Sequence, residues 1–120
     1  MVGNPEKRVR SLYEGYQARD WAAASQQLHP LVRLDMPATG EVLVGLDNVI
    51  GLQASYPEPW GDLTVLRVVS DGGNAAVAEI EIMGPTTVFR CAAFWEANDG
   101  LLHRGVEYWV TVGDDEPGPR

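Results

Sequence analysis

The chain of 120 residues has a net charge of −8, from 9 basic and 17 acidic residues, and 45% of its residues are hydrophobic. This length is typical of one domain whose core is stable without disulfides or metal ions. The negative charge argues against nucleic acid as a partner, and no apolar run approaches the ~20 residues that a membrane span needs. The single Cys91 and a first segment without the apolar core of a secretory signal predict a soluble, cytoplasmic protein.

Three helices are predicted in the first half of the chain, over residues 5–19, 21–28 and 47–56. Asn4 and Pro5 are an N-cap and a first-turn proline, a typical start of a helix, and the apolar residues that follow recur at helical spacing. His29-Pro30 is expected to end the second helix, and a cap at Asp47 to begin the third. The first two helices are expected to form a hairpin.

Six strands are predicted, over residues 32–36, 41–45, 63–70, 74–83, 86–97 and 101–112. The turn sequences DGG, GP and NDG separate the last four, so these strands are expected to form an antiparallel meander. Helices first and hairpins afterwards are typical of an α+β fold. Residues 1–112 are therefore predicted to form one domain, and the charged, proline-containing residues 113–120 a disordered tail.

In the order of these elements the chain resembles the nuclear transport factor 2-like superfamily, in its SnoaL-like (polyketide cyclase-like) branch. The motifs concerned are ARDW at residues 18–21, LDMPATGEVLVGLDNV at 34–49, and EYW at 107–109 after an Asp-Gly turn. The resemblance covers nearly the whole chain. It implies a cone-shaped fold in which three N-terminal helices pack in a curved, mainly antiparallel sheet with an internal pocket. Because many activities occur on this fold, it implies no single reaction.

Two members of the superfamily can be compared with the chain residue by residue. The general base of ketosteroid isomerase would fall at Met36, its oxyanion-hole aspartate at Ala92 and its oxyanion-hole tyrosine near Leu12. None of these side chains is ionisable, so that mechanism is disfavoured. The aspartate–arginine–aspartate relay of limonene epoxide hydrolase is matched only by its theme, an arginine between carboxylates in the late strands.

The turn sequences also predict which residues face each other in the last strands. A two-residue type I′ turn at residues 99–100 places Trp109 opposite Arg90 and Glu107 opposite Ala92. Residues that alternate along each strand then share a face of the sheet.

A second two-residue turn at residues 84–85 would place Glu79 opposite Arg90. One face of the sheet is then mixed in polarity and carries Glu79, Glu81, Arg90, Phe94, His103, Glu107 and Trp109. The opposite face is almost wholly apolar and carries Ile80, Ile82, Phe89, Cys91, Ala93, Trp95, Val106, Tyr108 and Val110.

Two interpretations of these faces are open. Alternation alone favours a mixed face in water, where Glu79, Arg90 and Glu107 would be a surface ladder worth about 0 to 1 kcal/mol per pair. The resemblance favours the opposite orientation, because it places Ala92 and Trp109 in the pocket. We adopt the second interpretation, which predicts a pocket lined by Tyr13, Tyr16, Met36, Tyr56, Trp60, Ala92, Phe94, His103 and Trp109.

On this interpretation Glu107 points inward beside Trp109, and together with Glu79 it brackets Arg90 at the floor of the pocket. Burial and mutual repulsion would raise the pKa of one carboxyl, so Glu107, Arg90 and Glu79 are the candidate catalytic residues. The predicted function is acid–base catalysis on a small apolar molecule, without a cofactor or a metal. The alternative is a non-catalytic protein that binds a small molecule or forms a structural dimer.

A homodimer is predicted because the pocket interpretation leaves the apolar face of the sheet on the outside of the molecule. Apolar patches of that size are seldom exposed in a monomer. The interface is expected to include Phe89, Cys91, Trp95, Val106 and Tyr108.

Overall fold

The computed structural model describes residues 4–56, 61–114 and 117–118, which contain three helices and six strands. The helices are α1 (Pro5–Ala18), α2 (Trp21–Ser25) and α3 (Leu46–Ala54). The strands are β1 (Leu28–Met36), β2 (Glu41–Val44), β3 (Asp62–Ser70), β4 (Ala75–Met83), β5 (Val88–Asn98) and β6 (Leu101–Thr111). No helix in the described ranges has the length and apolar character needed to cross a membrane. The predicted tail lies partly outside the described residues.

Local capping signals account for the start of the first helix but not for the third. The side chain of Asn4 accepts a hydrogen bond from the backbone N–H of Glu6, as predicted for an N-cap before a proline. In α3 the cap position is Gly45, which makes no side-chain hydrogen bond, and Asp47 lies in the first turn. The predicted cap at Asp47 is therefore wrong, although an acid in the first turn still favours the helix through its dipole.

The second helix is shorter than predicted, because β1 begins earlier. Residues 28–30 belong to the strand, and Leu28 pairs with Leu102 of β6. Proline is tolerated in a strand where its missing N–H costs no ladder hydrogen bond. A long-range strand pairing thus determines the end of α2.

The six strands form one sheet in the order β2-β1-β6-β5-β4-β3. The β1–β6 pair is parallel and the other four pairs are antiparallel, so the predicted meander of the last four strands is confirmed. The three helices pack on one face of this curved, open sheet, which gives the α+β fold that the order of elements predicts and the cone-like shape that the resemblance implies. We call the helix-covered side the inner face and the opposite side the outer face.

The inner face contains most of the core. In β4 and β5 the buried positions alternate with more exposed ones, as expected for strands with one covered side. The buried side chains of these two strands are Ala76, Ala78, Ile80, Ile82, Cys91, Ala93, Trp95 and Ala97. The apolar face predicted for β4 and β5 therefore lies against the helices, and its predicted outward orientation is wrong.

A β-bulge in β6 explains why the residues of β5 and β6 predicted to share a face lie on opposite faces. Next to the turn, Ala97 pairs with Leu102 as the sequence predicts, and Asp99 and Gly100 have the positive φ values of 54° and 78° that a type I′ turn requires. The next pair is Glu96 with Arg104, which leaves His103 as an extra residue. A shift of one residue exchanges the faces of all positions beyond it.

Beyond the bulge, Glu107 pairs with Ala93 and Trp109 pairs with Cys91. The predicted pairs with Ala92 and Arg90 are wrong by one residue. Consequently Glu107 and Trp109 share the inner face with the apolar residues of β5, and Arg90 lies on the other side of the sheet.

The turn between β4 and β5 also differs from the prediction. The strands end at Met83 and Val88, which pair with each other, so four residues connect them and the predicted two-residue turn is wrong. Arg90 therefore faces Glu81, whereas Glu79 faces Ala92. A displacement of two positions preserves the side of the sheet, so the predicted common face of Glu79, Glu81 and Arg90 is confirmed.

Candidate active site

Glu107 lies on the inner face of β6, and only 2% of its surface is exposed. Among the residues that the structure describes, it is the one charged side chain that is buried. Its neighbours along the same face of the strand are Gly105, which is buried, and Trp109, which is partly buried. The predicted inward direction of Glu107 beside Trp109 is confirmed.

Four side chains from three elements form a continuous hydrogen-bonded network at Glu107. The hydroxyl of Tyr13 on α1 donates to Glu107 Oε2 at 2.5 Å, and the indole N–H of Trp109 donates to Oε1 at 3.1 Å. The indole N–H of Trp95 on β5 donates to the hydroxyl oxygen of Tyr13 at 2.9 Å. Each carboxylate oxygen of Glu107 thus accepts one hydrogen bond from a side chain of fixed position.

Among the residues that the structure describes, no cation forms an ion pair with Glu107. The ion pairs of the described part of the chain involve Asp35, Glu79 and Glu81, and none involves Glu107. Burial raises the pKa of Glu107, and the hydrogen bonds from Tyr13 and Trp109 lower it by less, so the net pKa is above the ordinary value of a glutamate. The site therefore favours a neutral carboxylic acid more than water does.

The groups around Glu107 do not titrate with it. Burial raises the pKa of Tyr13 and of Tyr16 well above the ordinary value for tyrosine, and the charge of Glu107 adds to both effects. Burial also raises the pKa of the Cys91 thiol, again with a contribution from Glu107. Burial thus moves the pKa values of Tyr13, Tyr16 and Cys91 further above neutrality, whereas it raises that of Glu107 from the acid range, which is the direction that general acid–base catalysis needs.

The arginine predicted for the same site lies on the outer face. Arg90 donates from Nε to Glu81 at 2.7 Å and has Glu79 at 3.6 Å, and 43% of its side chain is exposed. Glu79 also accepts a hydrogen bond from Arg67 at 3.1 Å. The predicted bracket of Arg90 by Glu79 and Glu107 is wrong, because the bulge in β6 places Glu107 on the opposite side of the sheet.

The family described as the SnoaL-like domain matches residues 9–105. The chain belongs to the SnoaL-like family. No protein of curated function matches the sequence.

Solved structures show the same fold. A ketosteroid isomerase candidate from Kribbella flavida is 25% identical, with a TM-score of 0.85 over 95% of this chain and 83% of that one. An NTF-2 like protein of unknown function from Burkholderia xenovorans is 19% identical, with a TM-score of 0.82 over 96% and 87%. An LEH-like epoxide hydrolase from M. tuberculosis is 17% identical, with a TM-score of 0.73 over 88% and 82%.

Of the pocket residues predicted for this SnoaL-like domain, four lie on the inner side. Tyr13, Tyr16 and Met36 are buried in the core, and Trp109 is partly buried and packs against it. Tyr13 and Tyr16 are in contact, with ring centroids 5.6 Å apart in an edge-to-face arrangement. These residues and Glu107 are the part of the predicted pocket that the structure brings together.

The other predicted pocket residues lie elsewhere. Ala92 and Phe94 are on the outer face, where Phe94 packs edge-to-face on Tyr108. His103 is the extra residue of the bulge and contacts the ring of His29 at a centroid distance of 4.7 Å. Tyr56 is exposed at the end of α3, and Trp60 lies outside the described residues.

A shallow groove of about 310 Å³ between α1 and β3 contains none of the predicted site residues. Gln17 is one of its lining residues, and its Oε1 accepts a hydrogen bond from the backbone N–H of Leu63 at 2.7 Å. The groove is lined by Arg10, Glu14, Gln17, Ala18, Leu63, Thr64 and Val65. Because Gln17 satisfies an N–H of an edge strand, this region is best explained by protection of the sheet edge.

Two site residues were missed from the sequence. Trp95 was assigned to an outer interface, but it is buried and donates to Tyr13. Gly105 was not singled out, although a glycine inside a strand often indicates a bulge or a close approach of another group. The ring of Trp95 lies against Gly105, and a Cβ atom at this position would be only 2.6 Å from that ring.

Proposed function

We propose that this SnoaL-like protein is a cofactor-independent acid–base enzyme, of cyclase, hydrolase or isomerase type, that acts on a small and largely apolar molecule. The proposal is supported by one observation above all, the buried carboxyl of Glu107 between the hydroxyl of Tyr13 and the indole of Trp109. A carboxyl with a raised pKa can hold a proton near neutral pH and donate it to a substrate oxygen. The carboxylate that remains can take a proton back.

The structural relatives support a substrate with a reactive oxygen in an apolar frame. Their names refer to the isomerisation of a ketone and to the hydrolysis of an epoxide. The core around Glu107 is aromatic and aliphatic, so it would accept apolar surface and exclude charged groups. Arg90 and Glu79 are not part of the proposed machinery, because they lie on the outer face.

A ligand screen followed by a turnover assay tests this function. Hydrophobic ketones, epoxides and polyketide-like rings would be screened by thermal shift, since a specific ligand stabilises the native state by mass action. The best ligand would then be tested for conversion by the parent and by Glu107→Gln. Loss of a general acid typically reduces the rate by roughly 10²- to 10⁴-fold, and that loss is the expected result.

Glu81→Gln is the matched control, because it removes a carboxylate from the outer face of the same sheet. It should retain the parent rate. Equal rates for the parent and Glu107→Gln would contradict the proposed role of Glu107. A ligand that binds at this site without conversion would favour a carrier over an enzyme.

A structural homodimer is the second proposal, and the exposed apolar side chains of the outer face favour it. Phe94, Tyr108 and Val110 lie there, each about half exposed. The predicted interface must change, because Cys91 and Trp95 are buried in the core and Phe89 packs against it. Arg90 and its glutamates beside this patch offer both signs of charge, which can pair with each other across a self-complementary two-fold contact.

Sedimentation at micromolar concentration tests the dimer. The expected mass is twice the 13.1 kDa of the chain. Tyr108→Glu should shift the protein towards the monomer, because it places a charge in the apolar patch. A parent protein that is strictly monomeric would contradict this proposal and leave the acid–base proposal unaffected. A reducing, cytoplasmic location also remains a proposal, consistent with one buried cysteine.

A further inference from the structure

Trp95 is separated from Glu107 by a single side chain. Its indole N–H lies 2.9 Å from the hydroxyl oxygen of Tyr13, and that hydroxyl lies 2.5 Å from Glu107 Oε2. All three side chains are buried. Trp95 makes no hydrogen bond to the carboxyl, so its indole N–H acts on Glu107 through the hydroxyl of Tyr13.

The chemistry of the indole sets the direction of both hydrogen bonds. An indole N–H can donate but cannot accept, whereas a tyrosine hydroxyl can do both. Because the oxygen of Tyr13 accepts from Trp95, the hydroxyl proton of Tyr13 is directed towards Glu107. At the other oxygen of Glu107, the indole of Trp109 is likewise confined to donation.

This arrangement determines where a proton on Glu107 can lie. Both oxygens of Glu107 already accept a hydrogen bond, so an added proton occupies a remaining lone-pair position outside the two existing bonds. If Tyr13 were free to turn, its oxygen could accept that proton and hold it within the protein. The N–H of Trp95 opposes this turn, so the oxygen of Tyr13 does not compete for the acidic proton of Glu107.

Gly105 provides the space that Trp95 needs. It pairs with Trp95 across β5 and β6, and a Cβ atom at Gly105 would lie 2.6 to 2.7 Å from three atoms of the indole ring. Non-bonded Cβ contacts that short essentially never occur in proteins, so any larger residue would displace the ring. The position of the indole N–H therefore depends on a glycine that has no chemical role of its own.

We propose that Trp95 is a positioning residue of the acid–base site, which holds the hydroxyl of Tyr13 as a donor to Glu107, and that Gly105 is required for this position. The catalytic meaning of the inference rests on the proposed function. Its structural content does not, because the protonation of Glu107 can be measured without a substrate.

The first test uses the parent protein and nitrogen-15 NMR of the tryptophan indole groups during a pH titration. The titratable groups that face Glu107 are Tyr13 and Tyr16 on α1 and Cys91 on β5, and burial raises the pKa of each. Between about pH 4 and about pH 9, Glu107 is therefore expected to titrate alone within the cluster. The indole signals of Trp95 and Trp109 should move with the same midpoint as the carboxyl of Glu107. A signal of Trp95 that stays constant while that of Trp109 moves would overturn the proposal.

The second test uses Trp95→Phe, with Ile80→Val as a control that perturbs the buried core outside the hydrogen-bonded series. Loss of the N–H weakens Tyr13 as a donor, so the titration midpoint of Glu107 should rise by about half a pH unit or more. Gly105→Ala should move the midpoint in the same direction. Ile80→Val should leave the midpoint unchanged.

A midpoint equal to that of the parent in both Trp95→Phe and Gly105→Ala would reduce Trp95 to a packing role. An unshifted midpoint in the parent would instead contradict the proposed function.

Discussion

Two groups of carboxylates occupy opposite faces of the same sheet and have opposite environments. On the outer face, Glu79 and Glu81 pair with Arg90, and these side chains remain partly exposed. On the inner face, Glu107 is buried, forms no ion pair with any described residue, and accepts hydrogen bonds from Tyr13 and Trp109. The charges of Glu79 and Glu81 are compensated by Arg90 and by water. Burial of Glu107 instead favours its neutral form.

This difference shows which kind of carboxylate can do acid–base chemistry. An exposed ion pair keeps a carboxylate charged and contributes little free energy, because water and salt screen it. A buried carboxyl that only neutral donors contact can change its protonation state near neutral pH. The sequence predicts a catalytic role for Glu79 because Arg90 lies nearby. The same arginine keeps the outer carboxylates charged and therefore argues against that role.

The largest effect on stability is expected at Gly105, where the inner face depends on close packing against Trp95. Gly105→Ala should destabilise the fold by about 3 kcal/mol, because the added Cβ would overlap the ring of Trp95. The control is Gly51→Ala in α3, where the added Cβ would have no atom within 4 Å beyond its chain neighbours and its own helix backbone, and alanine is the better helix former. That control should gain about 0.5 to 1 kcal/mol. Urea denaturation measures both, and a neutral Gly105→Ala would show that the ring is not fixed.

The next largest effect is expected for the hydroxyl of Tyr13. Tyr13→Phe leaves the indole N–H of Trp95 and one oxygen of Glu107 without their partner in the interior. Such groups typically cost roughly 1 to 3 kcal/mol, so we expect a loss of about 2 kcal/mol. Tyr108→Phe on the outer face should change the free energy of unfolding by less than about 0.5 kcal/mol. Equal effects of the two substitutions would mean that the network does not stabilise the fold.

The pH dependence of stability should also separate the two faces. A carboxyl with a pKa that is higher in the folded protein holds its proton more tightly there. Its contribution is present in full below the pKa of the unfolded chain and is lost as the pH rises through the raised pKa of the folded protein. For one proton the slope is at most about 1.4 kcal/mol per pH unit. Glu107→Gln should flatten this loss, whereas Glu81→Gln should preserve it, as followed by denaturation at a series of pH values.

The smallest effect is expected on the outer face. Arg90→Ala should cost less than about 1 kcal/mol, since the ion pairs of Arg90 are partly exposed and screened. A cost of several kcal/mol would place Arg90 in a buried cluster and contradict the register described above. The experiment therefore tests the one-residue bulge through its energetic consequence.

The sequence predicts well what depends on local signals. The start of α1, the type I′ turn at residues 99–100 and the strand alternation of β4 and β5 follow from residues close together in the chain. Glu107 and Trp109 share a face because residues two positions apart in a strand point to the same side, so this part of the site is predictable from the sequence.

What could not be predicted depends on pairing between distant residues. The end of α2 is set by the pairing of β1 with β6, and the partners of Glu107 by the extra residue His103. Nothing in the residue type of His103 distinguishes a bulge from an ordinary strand position. Because the predicted register of β6 is wrong by one residue beyond the bulge, the prediction places Trp95 on a surface and Arg90 in the site. The predicted fold is unaffected.

The central claim is that Glu107 is a buried acid with a raised pKa. Carbon-13 NMR of the glutamate carboxyl carbons during a pH titration measures it directly, with Glu107→Gln to assign the signal. We predict that the midpoint of Glu107 lies above the ordinary value of about 4.3 for a glutamate in water. A midpoint at or below that value would show that Glu107 is charged at neutral pH and would contradict its proposed role as a proton donor.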